Sequence, residues 1–142
     1  MNNCEVCYRI DLIEAKKNPC FVAELETGYV VLCDYQSYKG YTLFICKQHV
    51  AELHELAEPD RALFLMEMTK VAQSVYQAFH PNKLNYELLG NVNTHLHWHI
   101  IPRLRTDVSP NLPIWALPEE NRSYIPTTQE LSDLKNLLLN YL

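Results

Sequence analysis

Asn91-Val92-Asn93-Thr94-His95-Leu96-His97-Trp98-His99-Ile100-Ile101 sets three of the chain's six histidines at alternate positions, with apolar residues between them. Side chains in an extended chain point alternately to its two faces. The spacing therefore predicts a strand carrying Asn91, Asn93, His95, His97 and His99 on one face, and Val92, Thr94, Leu96, Trp98 and Ile100 on the other. The second set makes a core face. The first does not, because a row of imidazoles packs poorly against apolar matter and polar clusters of this kind mark sites. A purely structural, hydrogen-bonded role accounts for one histidine more easily than for three in register.

Two chemistries remain for the row. As metal ligands the three cannot act together. His95 and His99 would stand roughly 13 Å apart at about 3.3 Å per residue, whereas zinc–nitrogen bonds are only about 2 Å long. At most two neighbours could share an ion. As a nucleophile with attendants the row makes better sense, since neutral imidazole offers a lone pair near pH 7 and attacks phosphorus to give a labile P–N bond. A central histidine then has one neighbour to orient it and another to hydrogen-bond the phosphate or leaving group.

At 142 residues the chain is expected to form one domain over 1–142, long enough for a real core, and no repeat, linker or low-complexity tract is evident. The formal charge of −5 argues against broad nucleic-acid binding, so a phosphate site would rest on local donors. No apolar run approaches the roughly 20 residues of a membrane span, and Met1-Asn2-Asn3-Cys4-Glu5-Val6-Cys7 lacks an apolar leader core. With five cysteines, this points to a reducing, cytoplasmic setting. Cys4-x-x-Cys7 followed by what reads as a hairpin does not suit a redox dithiol. The pair can chelate zinc but needs two further ligands, and free thiols are the competing reading. Cys20, Cys33 and Cys46 lie among apolar neighbours and read as small core residues.

Strands are predicted at Phe21 to Glu24, Tyr29 to Cys33, Gly40 to Cys46 and Leu84 to Leu89, with the triad segment supplying the fifth. Pro59-Asp60 opens a helix that ends at His80-Pro81, with a buried stripe expected at Ala62, Leu65, Met66, Thr69, Ala72, Val75, Tyr76 and Phe79. Five of the eight prolines fall from Pro102 onward, so 102–126 reads as an irregular, functional or interfacial arm. Thr127-x-x-Glu130 reads as a capping box for a C-terminal helix over 127–142, with Leu131, Leu134, Leu137, Leu138 and Tyr141 on one face. Hairpins around one long helix make an α+β fold.

His95-Leu96-His97-Trp98-His99-Ile100-Ile101 meets every position of the signature His-φ-His-φ-His-φ-φ, with φ apolar, and so resembles the histidine triad (HIT) family. The wider string from Glu87 to Arg103 is similar to a bacterial branch that includes dinucleoside polyphosphate and nucleoside phosphoramidate hydrolases, and the likeness runs from Cys4 to about Trp115. The resemblance implies a five-stranded antiparallel sheet and a homodimer whose sheets join. It implies that His97 attacks the α-phosphorus of a nucleotide, giving a nucleotidyl-histidine that water cleaves, and that His99 contacts the phosphate and assists the leaving group. A transferase branch has glutamine at the third histidine. His99 thus favours hydrolysis.

The resemblance further implies a closed, structural zinc site of Cys4, Cys7, His49 and His95. It places Asp34 on the ribose hydroxyls, and Asn91 and Thr94 beside the phosphate. Asn85 matches a family asparagine loosely, and Trp115 looks similar to a C-terminal tryptophan that reaches a nucleotide site. A surface-turn aspartate and a packing anchor are the plainer readings of Asp34 and Trp115. Lys47 and Arg103 offer charge near the phosphate or lie solvated at strand ends. Tyr41 stands where many members carry histidine. A nucleotide-binding regulatory module with little turnover, and a hydrolase using the triad as metal ligands, are the rival functions.

Overall fold

The computed structural model describes residues 3–142, so the reading of the amino terminus as leaderless lies partly outside the described residues. Five strands, β1 (Phe21–Glu24), β2 (Gly28–Leu32), β3 (Thr42–Cys46), β4 (Lys83–Glu87) and β5 (His97–Arg103), form one antiparallel sheet in the order β1-β2-β3-β5-β4. Helices α1 (Glu5–Glu14), α2 (Glu58–Phe79) and α3 (Thr128–Leu139) complete the α+β fold expected from the sequence.

Local chemistry explains the connections. The turn between β1 and β2 is held by Glu67 of α2, whose carboxylate accepts from the Glu26 and Thr27 amides, each at 2.9 Å, and from the Thr27 hydroxyl. Gln36 folds the link between β2 and β3 by donating to the Cys33 and Tyr41 carbonyls and accepting from the Gly40 amide. Gly40 has φ +89°, and a Cβ there would meet the Phe79 ring at 2.4 Å. The chain thus needs glycine at this position for two reasons.

α2 packs on β3 and β5, and α3 packs on β1 and α2. Phe64, Met68, Val71, Ala72, Ser74, Val75 and Ala78 are the buried positions of α2. The expected stripe is rotated by one residue, about 100° of helix, from this set. Met66 and Tyr76 are exposed, and of the predicted positions only Ala72 and Val75 are fully buried. Apolar residues occur on more than one side of α2, and contact with the sheet selects among them, led by Phe64 stacked on Phe44 at 5.1 Å between ring centroids. α3 begins with the predicted capping box, since the Thr127 hydroxyl accepts from the Glu130 amide while the Glu130 carboxylate accepts from the Thr127 amide. Leu134 and Leu138 are its buried anchors, whereas Leu137 and Tyr141 are exposed.

The segment after Cys4 is a helix, not the predicted hairpin. Val6, Ile10 and Ile13 recur at helical spacing and are its buried residues, and the Cys4 thiol accepts from the Cys7 amide at the N-cap. The triad segment is also shorter as a strand than expected, because β5 starts only at His97. Gly90 at φ +140° opens a bend, and Val92 and Thr94, placed by alternation on the core face, are exposed. The proline-rich arm carries 3-10 turns at Ile114–Ala116 and Glu119–Arg122, and Ile114 anchors it in a second apolar cluster with Tyr38, Tyr41 and Ile101. Among the described residues, no helix is long and apolar enough to cross a membrane.

Truncating Phe64, which is fully buried between α2 and β3, is expected to be among the costliest changes in the core. Phe64→Ala should lower unfolding free energy by about 3–5 kcal/mol, measured by urea denaturation.

Candidate functional site

Within β5 the alternation holds. His97, His99, Ile101 and Arg103 share one sheet face with their cross-strand partners, Ile45 and Leu43 of β3 and Glu87, Asn85 and Lys83 of β4. His97 Nδ1 lies 2.6 Å from the His95 carbonyl oxygen. A carbonyl can only accept, so Nδ1 carries the proton and Nε2 is left with a free lone pair. The backbone of one triad histidine thereby sets the tautomer of the next.

His99 lies beside His97, the rings tilted and their centroids 4.7 Å apart, and its Nδ1 lies 2.5 Å from the Tyr41 hydroxyl. Tyr41 is buried, and His99 is the one hydrogen-bond partner of its hydroxyl among the described residues. A buried phenol proton without an acceptor is costly. The hydroxyl therefore donates to Nδ1, which leaves Nε2–H of His99 as a donor. Burial, together with the neighbouring His97, pushes His99 down to about 4, so its ring is neutral at pH 7. Burial also holds the Tyr41 phenol above its ordinary range and keeps it protonated. Next to Ile114, Trp115 meets His99 edge-on at 5.9 Å and donates its indole N–H to Glu87.

His95 faces a different way. Its Nε2 lies 2.7 Å from the Cys46 carbonyl and must carry the ring proton, which leaves Nδ1 bare. That Nδ1 lies 3.6 Å from Cys4 Sγ, 3.5 Å from Cys7 Sγ and 3.2 Å from His49 Nδ1, while Cys7 Sγ lies 3.2 Å from His49 Nδ1. The four ligand atoms fall within 4.8 Å of one another. With bonds of about 2.3 Å to sulphur and about 2.0–2.1 Å to nitrogen, a tetrahedron has sulphur–nitrogen edges of about 3.6 Å and nitrogen–nitrogen edges of about 3.3 Å. The cluster can hold a metal, and all four predicted ligands are in it. Burial pushes His95 away from its cationic form, as a ligand requires.

The remaining predicted residues are more scattered. Asp34 follows β2 and is clasped by Arg9 of α1 through bonds of 3.0 and 2.5 Å, which hold its carboxyl below the usual carboxylate range. Asn85, on the triad face, accepts from Arg103 at 3.0 Å. Asn91 and Thr94 line a cleft with Glu52, Leu88 and Gly90, apart from the Tyr41–Trp115 wall. Lys47 pairs with Glu24. Arg103 is not solvated but buried, bonded to Asp107, Asn85 and the Leu112 carbonyl, and it ties the arm to β4 and β5. Sequence reasoning gave no role to Glu87 or Arg122. Glu87 had a findable signal, as the β4 residue directly opposite His99, whereas Arg122 had none.

The HIT domain matches residues 15–106. The chain is similar to the Protein hit of Bacillus subtilis (strain 168), with 32% identity over 108 residues covering 71% of each chain. Its fold is similar to that of a histidine triad protein from Sinorhizobium meliloti 1021, with TM-score 0.79, 20% identity and coverage of 90% of this chain and 94% of that one. It is also similar in fold to a Zn-bound histidine triad family protein from Mycobacterium smegmatis, with TM-score 0.69, 19% identity and coverage of 97% and 94%.

Two outcomes follow from this geometry. Titration with Co2+ should give one equivalent bound, with thiolate-to-metal absorption that Cys7→Ser weakens and Cys4→Ser/Cys7→Ser abolishes. The His99 ring should titrate near pH 4 in NMR spectra, against 6.5 for an exposed ring. Because the folded value is depressed, the neutral ring stabilises the fold fully above about pH 6.5, and that contribution is lost as pH falls through 4.

Proposed function

On the premise that this chain belongs to the histidine triad (HIT) family, we propose that it is a nucleotide hydrolase. It would cleave a P–O–P or P–N bond at a nucleoside α-phosphate through a covalent nucleotidyl-histidine, with dinucleoside polyphosphates or nucleoside phosphoramidates as substrates. The observation that carries this reading is the bond from His97 Nδ1 to the His95 carbonyl. It supports His97 as nucleophile by presenting Nε2 unprotonated, without need of a strong base.

As Nε2 bonds to the α-phosphorus, the phosphorus–leaving-group bond breaks and positive charge develops on the His97 ring. The Nδ1–H bond to the carbonyl strengthens with that charge and stabilises it. His99, donating from Nε2, hydrogen-bonds a phosphate or leaving-group oxygen, and Tyr41 keeps it in that tautomer. A phosphate leaves as its anion, and an amine takes a proton from solvent, which the water of the second step returns. Water then cleaves the P–N bond, releasing the nucleoside monophosphate and restoring neutral His97.

The donor set of Cys4, Cys7, His49 and His95 suits zinc, and the Zn-bound relative supports that choice. With four protein ligands the ion would be structural, joining α1 to the start of β5. Of the triad only His95 belongs to that set, which favours a nucleophilic role for His97 over a metal-ligand one. The chain is also proposed to act as a homodimer, with β4, the edge strand carrying exposed Tyr86, available to a second copy.

The test is AMP release from diadenosine tetraphosphate and from adenosine phosphoramidate by zinc-loaded protein. Wild type should turn over at least one of them, and His97→Ala should lose activity by roughly three orders of magnitude or more while still binding AMP. Absence of turnover in folded, zinc-loaded wild type that binds AMP would instead make the chain a nucleotide-binding regulatory module.

A further inference from the structure

The triad is short of positive charge for the substrate proposed above. His99 is held neutral and Tyr41 is a protonated phenol, while a nucleoside phosphate brings negative charge on both the reacting phosphate and any phosphate that leaves. The cations around the sheet are mostly committed elsewhere. Arg9 pairs with Asp34 and Glu5, Lys47 with Glu24 and Arg103 with Asp107, and Lys83 donates to the Leu84 carbonyl.

Arg122 differs from all of these. Among the described residues its guanidinium has no hydrogen bond and no carboxylate partner, and its Nε is buried without an acceptor. The guanidinium lies over the Trp115 ring at 4.9 Å, and Trp115 in turn meets the edge of His99 at 5.9 Å. The two separations together put the cation within about 11 Å of the His99 ring. Its charge also reaches the Tyr41 and Tyr38 phenols, favouring their ionised forms against burial. Glu87, the nearby acid, accepts from the Trp115 indole and is not paired with Arg122. An arginine fixed on an indole face loses little freedom on binding and presents a planar fork matched to phosphate oxygens.

We propose that Arg122, held by Trp115, is the cation that binds the phosphate chain of the leaving group, so that the preferred substrate leaves as a phosphate and not as an uncharged amine. Resting on the hydrolase reading, this selects between its two substrate classes. An α-phosphorus at His97 carries its following phosphates away from the nucleoside, and Arg122 is the unpaired cation available to meet them. The committed substrates are nucleoside polyphosphates and dinucleoside polyphosphates.

The experiment is calorimetric binding of AMP and of α,β-methylene-ADP to full-length, zinc-loaded wild type, Arg122→Gln and Arg122→Lys, followed by kcat/KM on diadenosine tetraphosphate and adenosine phosphoramidate. A hydrogen bond to a charged group is worth roughly 1.5–3 kcal/mol, so wild type should bind the diphosphate about tenfold or more tighter than AMP. Arg122→Gln should bring that ratio close to one, with Arg122→Lys in between, and the preference for polyphosphate over phosphoramidate should fall by about tenfold or more. Equal binding of the two nucleotides by wild type, or a ratio that survives Arg122→Gln, overturns the proposal without touching the hydrolase reading. An Arg122-dependent ratio in a protein that turns nothing over supports the phosphate subsite while ending the hydrolase reading. If neither nucleotide binds, both fall.

Discussion

His95 Nε2 stands 2.7 Å from the Cys46 carbonyl, and since a carbonyl only accepts, the single proton of that ring is committed there. Everything around the triad follows from this placement. Nδ1 is left bare and turned toward two thiols and a second imidazole. The His95 backbone is fixed in the step before β5, and its own carbonyl is free to take the Nδ1 proton of His97. One residue therefore links a metal-competent cluster on the α1 side to a prepared lone pair on the sheet face. In the proposed reaction, an ion bound by the cluster adds rigidity at the one point where a small rotation would mis-aim the nucleophile.

The sheet divides the labour between its faces. Phe44 and Ile100, packed beneath α2, are fully buried and need no polar partners. The opposite face carries the titratable side chains, and its coverage is partial, with Tyr38, Tyr41 and Ile114 closing over Ile101 while Trp115 remains part exposed. That partial cover lowers the local dielectric around His99 enough to keep it neutral. Arg103 makes the arrangement possible, because one buried guanidinium bonded to Asp107, Asn85 and the Leu112 carbonyl pins the arm to β4 and β5.

How much of this could be read from sequence depends on how local the physics is. Strand alternation at His97–Arg103, the Thr127–Glu130 capping box and the end of α2 at His80 are decided within a few residues, and they were legible. The phase of α2 was not, since Met66 and Tyr76 offer large apolar surfaces as Phe64 and Val75 do, and contact with the sheet decides between them. The helix after Cys4 was not, since it is short and its buried period rests on three residues, Val6, Ile10 and Ile13. The four-residue cluster was reachable through resemblance, as its members are drawn from three separate stretches of chain. The bond from Tyr41 to His99 joins residues 58 apart and has no local signature at all.

Tyr41 also bears on how charge is distributed in the site. A histidine at that position could share a proton with His99 and bring a cation to the phosphate itself. A phenol held above its ordinary range cannot do so, and it keeps the pair neutral. For the proposed anionic substrates, in a chain of net charge −5, the attraction must then come from outside the triad. The arm is where the fold can supply it, because the arm crosses the triad face and carries Trp115 and Arg122 within seven residues of each other. The neutral His99 and the cationic arm are thus two halves of one proposed solution. Hydrogen bonds to the His95 carbonyl and to Tyr41 set the tautomers of His97 and His99, and the charge that burial denies His99 stands one aromatic ring away.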